Sequence, residues 1–160
     1  MEASMELILV RHAIAAPALP GEDDASRALT PKGIRRFRRC VRGLGRLGVG
    51  IDLLLHSPKR RAVETADLLA DLLEGESRVT SLLAAPPSMD LLDLCTAPRV
   101  ALVGHEPWLG ELACWLLTGV MDAASRFAMR KGGVAMLRGE PRPGGMTLVA
   151  WWPPSTLRRT

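Results

Sequence analysis

Two apolar runs that each stop at a histidine constrain this chain most. Leu7-Ile8-Leu9-Val10 leads into Arg11-His12, and Ala101-Leu102-Val103 leads into Gly104-His105. Both have strand length and read as buried strands. In an open α/β sheet, ligands collect in the crevice beyond the carboxyl ends of the strands, so both histidines are delivered toward a shared site. A third segment, Ser57-Pro58-Lys59-Arg60-Arg61-Ala62-Val63-Glu64-Thr65, lies between them and reads as an arginine-bearing helix start. A lone histidine at a strand end is commonly a hydrogen-bonded structural residue. His56, which ends the run Ile51-Asp52-Leu53-Leu54-Leu55, is read that way, as packing or hydrogen bonding beside the site.

The rest of the pattern alternates strands with helices. Glu6 to Val10 is the first strand, and a polar loop runs from Pro17 to Leu29. Thr30-Pro31 opens a helix, with Thr as the cap and Pro at the first helical position. Ile34, Phe37, Val41 and Leu44 form its buried face, and Arg35, Arg36, Arg39, Arg42 and Arg46 its solvated one. Asp52 to His56 is a strand. Ser57-Pro58 starts a helix that turns Ala62, Ala66, Leu69, Ala70 and Leu73 inward and stops near Gly75. Arg78 to Leu83 reads as a short strand, and a helix follows Ser88 to about Ala97. Val100 to Gly104 is a strand, Pro107 to Thr118 a helix, and Val134–Leu137 and Met146–Trp152 the final strands. The expectation is an α/β fold: residues 1–160 as a single three-layer domain, with a mostly parallel sheet and helices on both faces.

Composition closes off several classes. A chain of 160 residues can bury roughly two thirds of its unfolded surface as one domain. No apolar stretch approaches the ~20 residues of a membrane span. The start Met1-Glu2-Ala3-Ser4-Met5 lacks the cationic region of a secretory leader. Cys40, Cys95 and Cys114 are odd in number and widely spaced, which argues against a disulfide framework and fits a cytoplasmic protein. A net charge of +4 invites a nucleic-acid reading, but the arginines are spread along the chain and there is no tyrosine for base stacking. No nucleic-acid or membrane partner is expected.

The three segments together suit phosphoryl transfer, which asks mainly for positioning and positive charge around the transferred oxygens. Arg11 and Arg61 are always-charged forks that can grip phosphate bidentately. Arg61 falls in the first turn of its helix, where the helix dipole adds to its charge. A neutral imidazole can be the nucleophile if one nitrogen presents a lone pair and the other donates its proton, typically to a backbone carbonyl. His12, adjoining Arg11, suits that part. His105 suits a second phosphate ligand which, as a cation, would stabilise the charge on the transferred group. The three histidines lack metalloprotease spacing, no aspartate cluster resembles a two-metal site, and no glycine-rich nucleotide loop opens a helix. No metal or cofactor is expected.

These residues resemble the histidine phosphatase superfamily, which includes the cofactor-dependent phosphoglycerate mutases. Val10-Arg11-His12-Ala13 resembles its Arg-His-Gly signature, and Ser57-Pro58-x-x-Arg61-Ala62-x-x-Thr65 and Val103-Gly104-His105-Glu106-Pro107 its second and third motifs. The short length, Leu29-Thr30-x-x-Gly33 and Lys131-Gly132 resemble the SixA-type phosphohistidine phosphatases, over about Glu6 to Pro153. The resemblance implies a phosphoglycerate mutase-like fold, His12 as the phosphate-accepting nucleophile, and Arg11, Arg61 and His105 as the phosphate pocket. It also implies a further pocket-facing arginine at Arg27 and a structural role for Glu64. Ala13 replaces the usual glycine, which disfavours a positive backbone φ there.

No long insertion follows the second motif, where mutases and many broad phosphatases carry a glutamate as general acid. Asp90, Glu106, Asp23 and Asp24 are weak substitutes by position. An alkyl ester gains much from a proton donor, whereas the nitrogen of a phosphoramidate can be protonated before cleavage. The sequence therefore points to a metal-independent phosphatase acting on the phosphohistidine of a phosphotransfer protein. A phosphatase of small phosphate esters or anhydrides is one alternative. The other is a nucleic-acid or protein-binding module that uses the arginine face of the first helix.

Overall fold

The computed structural model describes residues 4–160. Met1-Glu2-Ala3, the start of the segment judged for a secretory leader, lies outside them. A six-stranded sheet is built from β1 (Met5–Arg11), β2 (Ile51–His56), β3 (Leu73–Val79), β4 (Arg99–Gly104), β5 (Val134–Gly139) and β6 (Met146–Trp152), in the order β3-β2-β4-β1-β5-β6. β3, β2, β4 and β1 run parallel, while β5 and β6 add antiparallel strands beyond β1.

Because side chains alternate across a strand, each central strand feeds two cores. Ile8 and Val10 of β1, Leu54 of β2, and Ala101 and Val103 of β4 join one core. Phe37, Val41 and Leu44 of α1 (Pro31–Arg46), Ala62 and Ala66 of α2 (Arg60–Leu68) and Leu157 of α5 (Pro154–Arg159) cover it. Leu7, Leu9, Leu53, Leu55, Val100 and Leu102 feed the other core. Leu91 and Leu92 of α3 (Met89–Asp93) and Leu109, Leu112 and Leu116 of α4 (Trp108–Thr118) cover that one. The expected three layers are present.

The sheet register positions the site. Arg11 of β1 lies opposite Gly104 of β4, and His12 N–H donates to the Gly104 carbonyl at 3.1 Å. The two histidines that follow these residues therefore leave the same edge of the sheet side by side. His56 of β2 lies opposite Val103, and Ser57 N–H donates to the Val103 carbonyl, which brings the third segment to the same edge.

α1 begins as its sequence dictates: the Thr30 hydroxyl accepts from Gly33 N–H at 2.9 Å, and Pro31 takes the first position. Gly33 is required for a second reason, because a Cβ there would drive into the Ile14 carbonyl just beyond the first histidine.

Several expectations are corrected. α2 starts at Arg60, not at Ser57-Pro58, and ends at Leu68. After a 3-10 turn over Leu69–Leu72 the chain is already a strand, so Leu73 belongs to β3 and not to a helix reaching Gly75. The strand placed at Arg78 to Leu83 is the end of β3 followed by a 3-10 turn at Ser81–Ala84. The helix drawn to Ala97 stops at Asp93, and α5 lies past the last strand that was read.

Candidate active site

His12 stands at the carboxyl end of β1, 5% exposed. Its Nδ1–H donates to the Ala13 carbonyl at 2.7 Å, which leaves Nε2 with the lone pair. Burial, against that hydrogen bond and with Arg61, Arg11 and Lys131 nearby, pushes its pKa down to about 4, so the ring is neutral at pH 7. The His105 ring centroid is 5.2 Å away. Burial, then His12, Arg61 and Lys59, push the pKa of His105 down to about 3. This corrects one expectation: these protein charges leave His105 neutral, and an anion must arrive before it can become a cation.

Ser57, fully buried, supports His105. Its Oγ lies 2.8 Å from His105 Nε2 and accepts from Lys59 N–H at 3.1 Å. Trp108 meets the other side of His105 edge-on, and Lys59 Nζ sits 5.7 Å over the Trp108 ring.

The arginines are tied in place from behind. Thr65 Oγ1 donates to the Arg61 carbonyl at 2.7 Å and accepts from Ala13 N–H at 3.0 Å, so one hydroxyl couples α2 to the segment carrying His12. Ala13 keeps a negative φ, as no non-glycine described residue has a positive one. Arg11 Nη1 donates to the Met129 carbonyl at 2.7 Å. Met129 N–H in turn donates to Glu106 Oε2 at 3.1 Å, and Glu106 Oε1 accepts from Gly110 N–H at 2.6 Å.

Asp24 engages Arg61. Arg61 Nη2 donates to its carboxylate at 3.1 Å and Arg61 Nη1 to its carbonyl at 2.9 Å. Arg27 and Lys59 reach the same carboxylate at 3.1 and 3.3 Å. Arg27 first, with Arg61 and Lys59, holds the Asp24 carboxyl well below the usual carboxylate range against the opposing cost of desolvation, so it is ionised at neutral pH.

The structure thus gathers His12, Arg11, Arg61 and His105, whereas Arg27 is engaged by the Asp24 carboxylate at 3.1 Å and, through Nε, by the Ala16 carbonyl at 2.7 Å. His56 donates from Nδ1 to the Ser57 carbonyl at 2.9 Å, as its hydrogen-bonding reading expected. Glu64 accepts from Leu29 N–H at 3.0 Å, a structural contact. Of the four acid candidates, Asp24 is ionised and Glu106 spends both oxygens on backbone N–H groups. Asp23 accepts from Ala25 N–H, and Asp90 is exposed in the first turn of α3.

In the sequence, Ser57 and Thr65 are motif positions with no role of their own, and Asp24 stands only as a candidate acid. A serine and a threonine recurring within nine residues around Arg61 were the available signal; nothing in the sequence marks Met129.

Three buried nitrogens, Arg11 Nε, Arg61 Nε and His105 Nδ1, have no hydrogen-bond partner among the described residues. Buried polar atoms rarely stay unpaired without a reason. Here all three belong to residues grouped at one sheet edge around a free imidazole lone pair. A tetrahedral oxyanion has the charge and the acceptor count to complete them.

Fold and site together define a phosphate-handling α/β protein. A model of the histidine phosphatase superfamily (branch 1) matches residues 7–84. An uncharacterized protein of Picosynechococcus sp. is 32% identical over 142 residues, 84% of this chain and 85% of that protein. The solved structure of the protein histidine phosphatase SixA complexed with tungstate superposes with a TM-score of 0.78 at 25% identity, over 96% of this chain and 99% of that one. A phosphoserine phosphatase from Entamoeba histolytica, in complex with 3-phosphoglyceric acid, shares the fold with a TM-score of 0.71 at 18% identity, over 92% and 96% of the two chains. The chain belongs to the histidine phosphatase superfamily. That membership and the SixA-like neighbour support a phosphatase-type hydrolase. Among the described residues no helix is long and apolar enough to cross a membrane.

Proposed function

We infer that the chain is a metal-independent phosphatase that removes phosphate from the phosphohistidine of a phosphotransfer protein through a covalent intermediate on His12. One observation carries the reading: His12 is neutral, with Nδ1 committed to the Ala13 carbonyl and Nε2 free, amid unpartnered nitrogens of Arg11, Arg61 and His105.

In the first step the Nε2 lone pair attacks phosphorus. The phosphorus–nitrogen bond to the substrate imidazole breaks, its electron pair stays on that nitrogen, and the imidazole leaves neutral because it enters already protonated on its other ring nitrogen. Arg11 and Arg61 hold the equatorial oxygens, and His105 donates to one of them, gaining cationic character as the dianion arrives. Water then attacks the phosphorus on His12, releasing inorganic phosphate and restoring the imidazole. Asp24 holds Nη1 and Nη2 of Arg61 and leaves its Nε unpaired, so the carboxylate competes with phosphate for this guanidinium.

The substrate class rests on one feature. The two candidate acids whose carboxyl groups are tied to site residues are both occupied, Asp24 by Arg27, Lys59 and Arg61 and Glu106 by two backbone N–H groups, which favours a phosphoramidate over an alkyl ester.

Rapid quench with a labelled phosphohistidine phosphotransfer domain should trap an acid-labile, base-stable phosphoprotein, absent in His12→Ala. Wild-type turnover by His12→Ala would overturn the mechanism. Faster turnover of small phosphate esters than of the phosphodomain would move the substrate to that class.

A further inference from the structure

We propose that an open basic groove beside the phosphate pocket docks an acidic protein surface flanking the target phosphohistidine. The proposal rests on the phosphoprotein reading above and adds the chemistry of the partner and the residues that meet it.

The groove encloses about 540 Å³ and starts at Arg11. Its other cations come from separate elements: Arg36 from α1, Arg130 and Lys131 from the loop before β5, and Arg158 from α5. No carboxylate lines it. Among the described residues none of these four side chains makes an ion pair or hydrogen bond, although Arg99–Asp52 and Arg138–Glu6 show that surface pairs form elsewhere. A small cleft of about 20 Å³ shares Arg36, Lys131 and Arg158 and reaches Ala13, whose carbonyl orients His12.

Such convergence differs from the solvated stripe expected along α1. A stripe lets each arginine point away from its neighbours. Here three elements bring like charges to one concavity without compensation, and a concave basic surface concentrates its field on an approaching anion. The field also acts on the catalytic centre, where Lys131 is one of the charges that lower the His12 pKa.

The occupant follows from the groove's form. Arg130 and Lys131 are exposed and Arg36 and Arg158 half-buried, so no rigid pocket is built to clasp one small anion. Long mobile cations in an open trough match several carboxylates spread over a protein surface. Nucleic acid fits less well, because no aromatic side chain lines the groove to stack a base.

The test uses two synthetic peptides, each with one phosphohistidine, one flanked by aspartate and glutamate and the other by serine and asparagine. Fluorescein-labelled, unphosphorylated copies report binding by anisotropy, and p-nitrophenyl phosphate reports the catalytic centre alone. Wild-type protein should bind the acidic copy roughly tenfold more tightly than the neutral one, with the difference shrinking as salt is raised. Arg36→Glu/Arg130→Glu should abolish that preference and raise KM for the acidic phosphopeptide about tenfold with little change in kcat. The same variant should keep p-nitrophenyl phosphate turnover within about twofold, because neither residue touches the reacting atoms. Arg36→Gln/Arg130→Gln should fall between the two, which guards against a folding defect in the charge reversal.

Equal binding of the two peptides, an unchanged preference in both variants, or tighter binding of a single-stranded oligonucleotide of the same charge would overturn the proposal. If the acidic peptide binds but its phosphohistidine is not hydrolysed, docking stands and the phosphohistidine reading fails. Hydrolysis of both phosphopeptides at equal KM gives the reverse.

Discussion

Ser57 has one proton to place. Its oxygen accepts from Lys59 N–H, and the only other polar atom recorded against it among the described residues is His105 Nε2 at 2.8 Å. The hydroxyl proton therefore goes to Nε2, and the proton of neutral His105 resides on Nδ1, the nitrogen left without a partner. A buried donor is thereby left unpaired in the site, where a lone pair would repel phosphate oxygens. Ser57→Ala should let both tautomers populate and lower kcat/KM by about tenfold, the scale of a partly misoriented transition-state donor. Nitrogen-15 NMR of His105 checks the cause: the wild type should show the Nδ1–H tautomer and Ser57→Ala a mixture. An unchanged tautomer with full activity would remove Ser57 from the mechanism. The asymmetry at His12 is of the same kind, except that a backbone carbonyl fixes the proton.

Glu106 shows how elements position a residue that lies on neither of them. It bridges the first turn of α4, through Gly110 N–H, and the loop before β5, through Met129 N–H, and the Met129 carbonyl then orients Arg11. Burial raises the Glu106 carboxyl above its ordinary range, and the two N–H donors and Arg11 oppose that. A glutamine keeps one carbonyl oxygen but turns an amide NH₂ toward a backbone donor, so Glu106→Gln should loosen the Met129 loop and lower kcat/KM about tenfold. The loss should be the same for aryl phosphates of low and high leaving-group basicity. A general acid would instead give a loss that grows with basicity.

Legibility divided along the same line. β1 and β4 could be read because strands buried on both faces are continuous apolar runs, and α1 because Thr30-Pro31 marks its start. β3 is an exposed edge strand, Leu-Glu-Gly-Glu-Ser-Arg-Val, held by pairing to β2 and without apolar alternation. α5 buries little beyond Leu157 and had no periodicity to reveal it. Arg11, His12, Arg61 and His105 were legible because they adjoin readable strands and a helix start. The Glu106–Met129 link and the Asp24 clamp join distant loops, and only the folded sheet edge brings them to the site.

At the scale of the molecule, both imidazoles of the site are buried in the fold, so they are linked to global stability. The folded pKa values are about 4 for His12 and about 3 for His105, against 6.5 for an unperturbed histidine. Between these limits the unfolded chain binds more protons than the folded one, so stability rises with pH there. This contribution is therefore fully present above pH 6.5 and is lost as pH falls toward 4. Asp24 adds a loss of the same sign at lower pH, since its depressed carboxyl stabilises the fold only while ionised. Thermal melts should show Tm falling steadily from pH 6.5 to 4, with a shallower fall in His12→Gln, which has no imidazole to protonate. Activity should follow a different curve. The nucleophile stays neutral down to about pH 4, so kcat/KM for a substrate that does not itself titrate should persist into acid where an ordinary histidine would already be half protonated. An acid limb near pH 6.5 that disappears on correcting for unfolding would leave the neutral nucleophile intact. One that remains with folded enzyme would show that His12 is protonated in the working site, and the attack from Nε2 could not proceed as drawn.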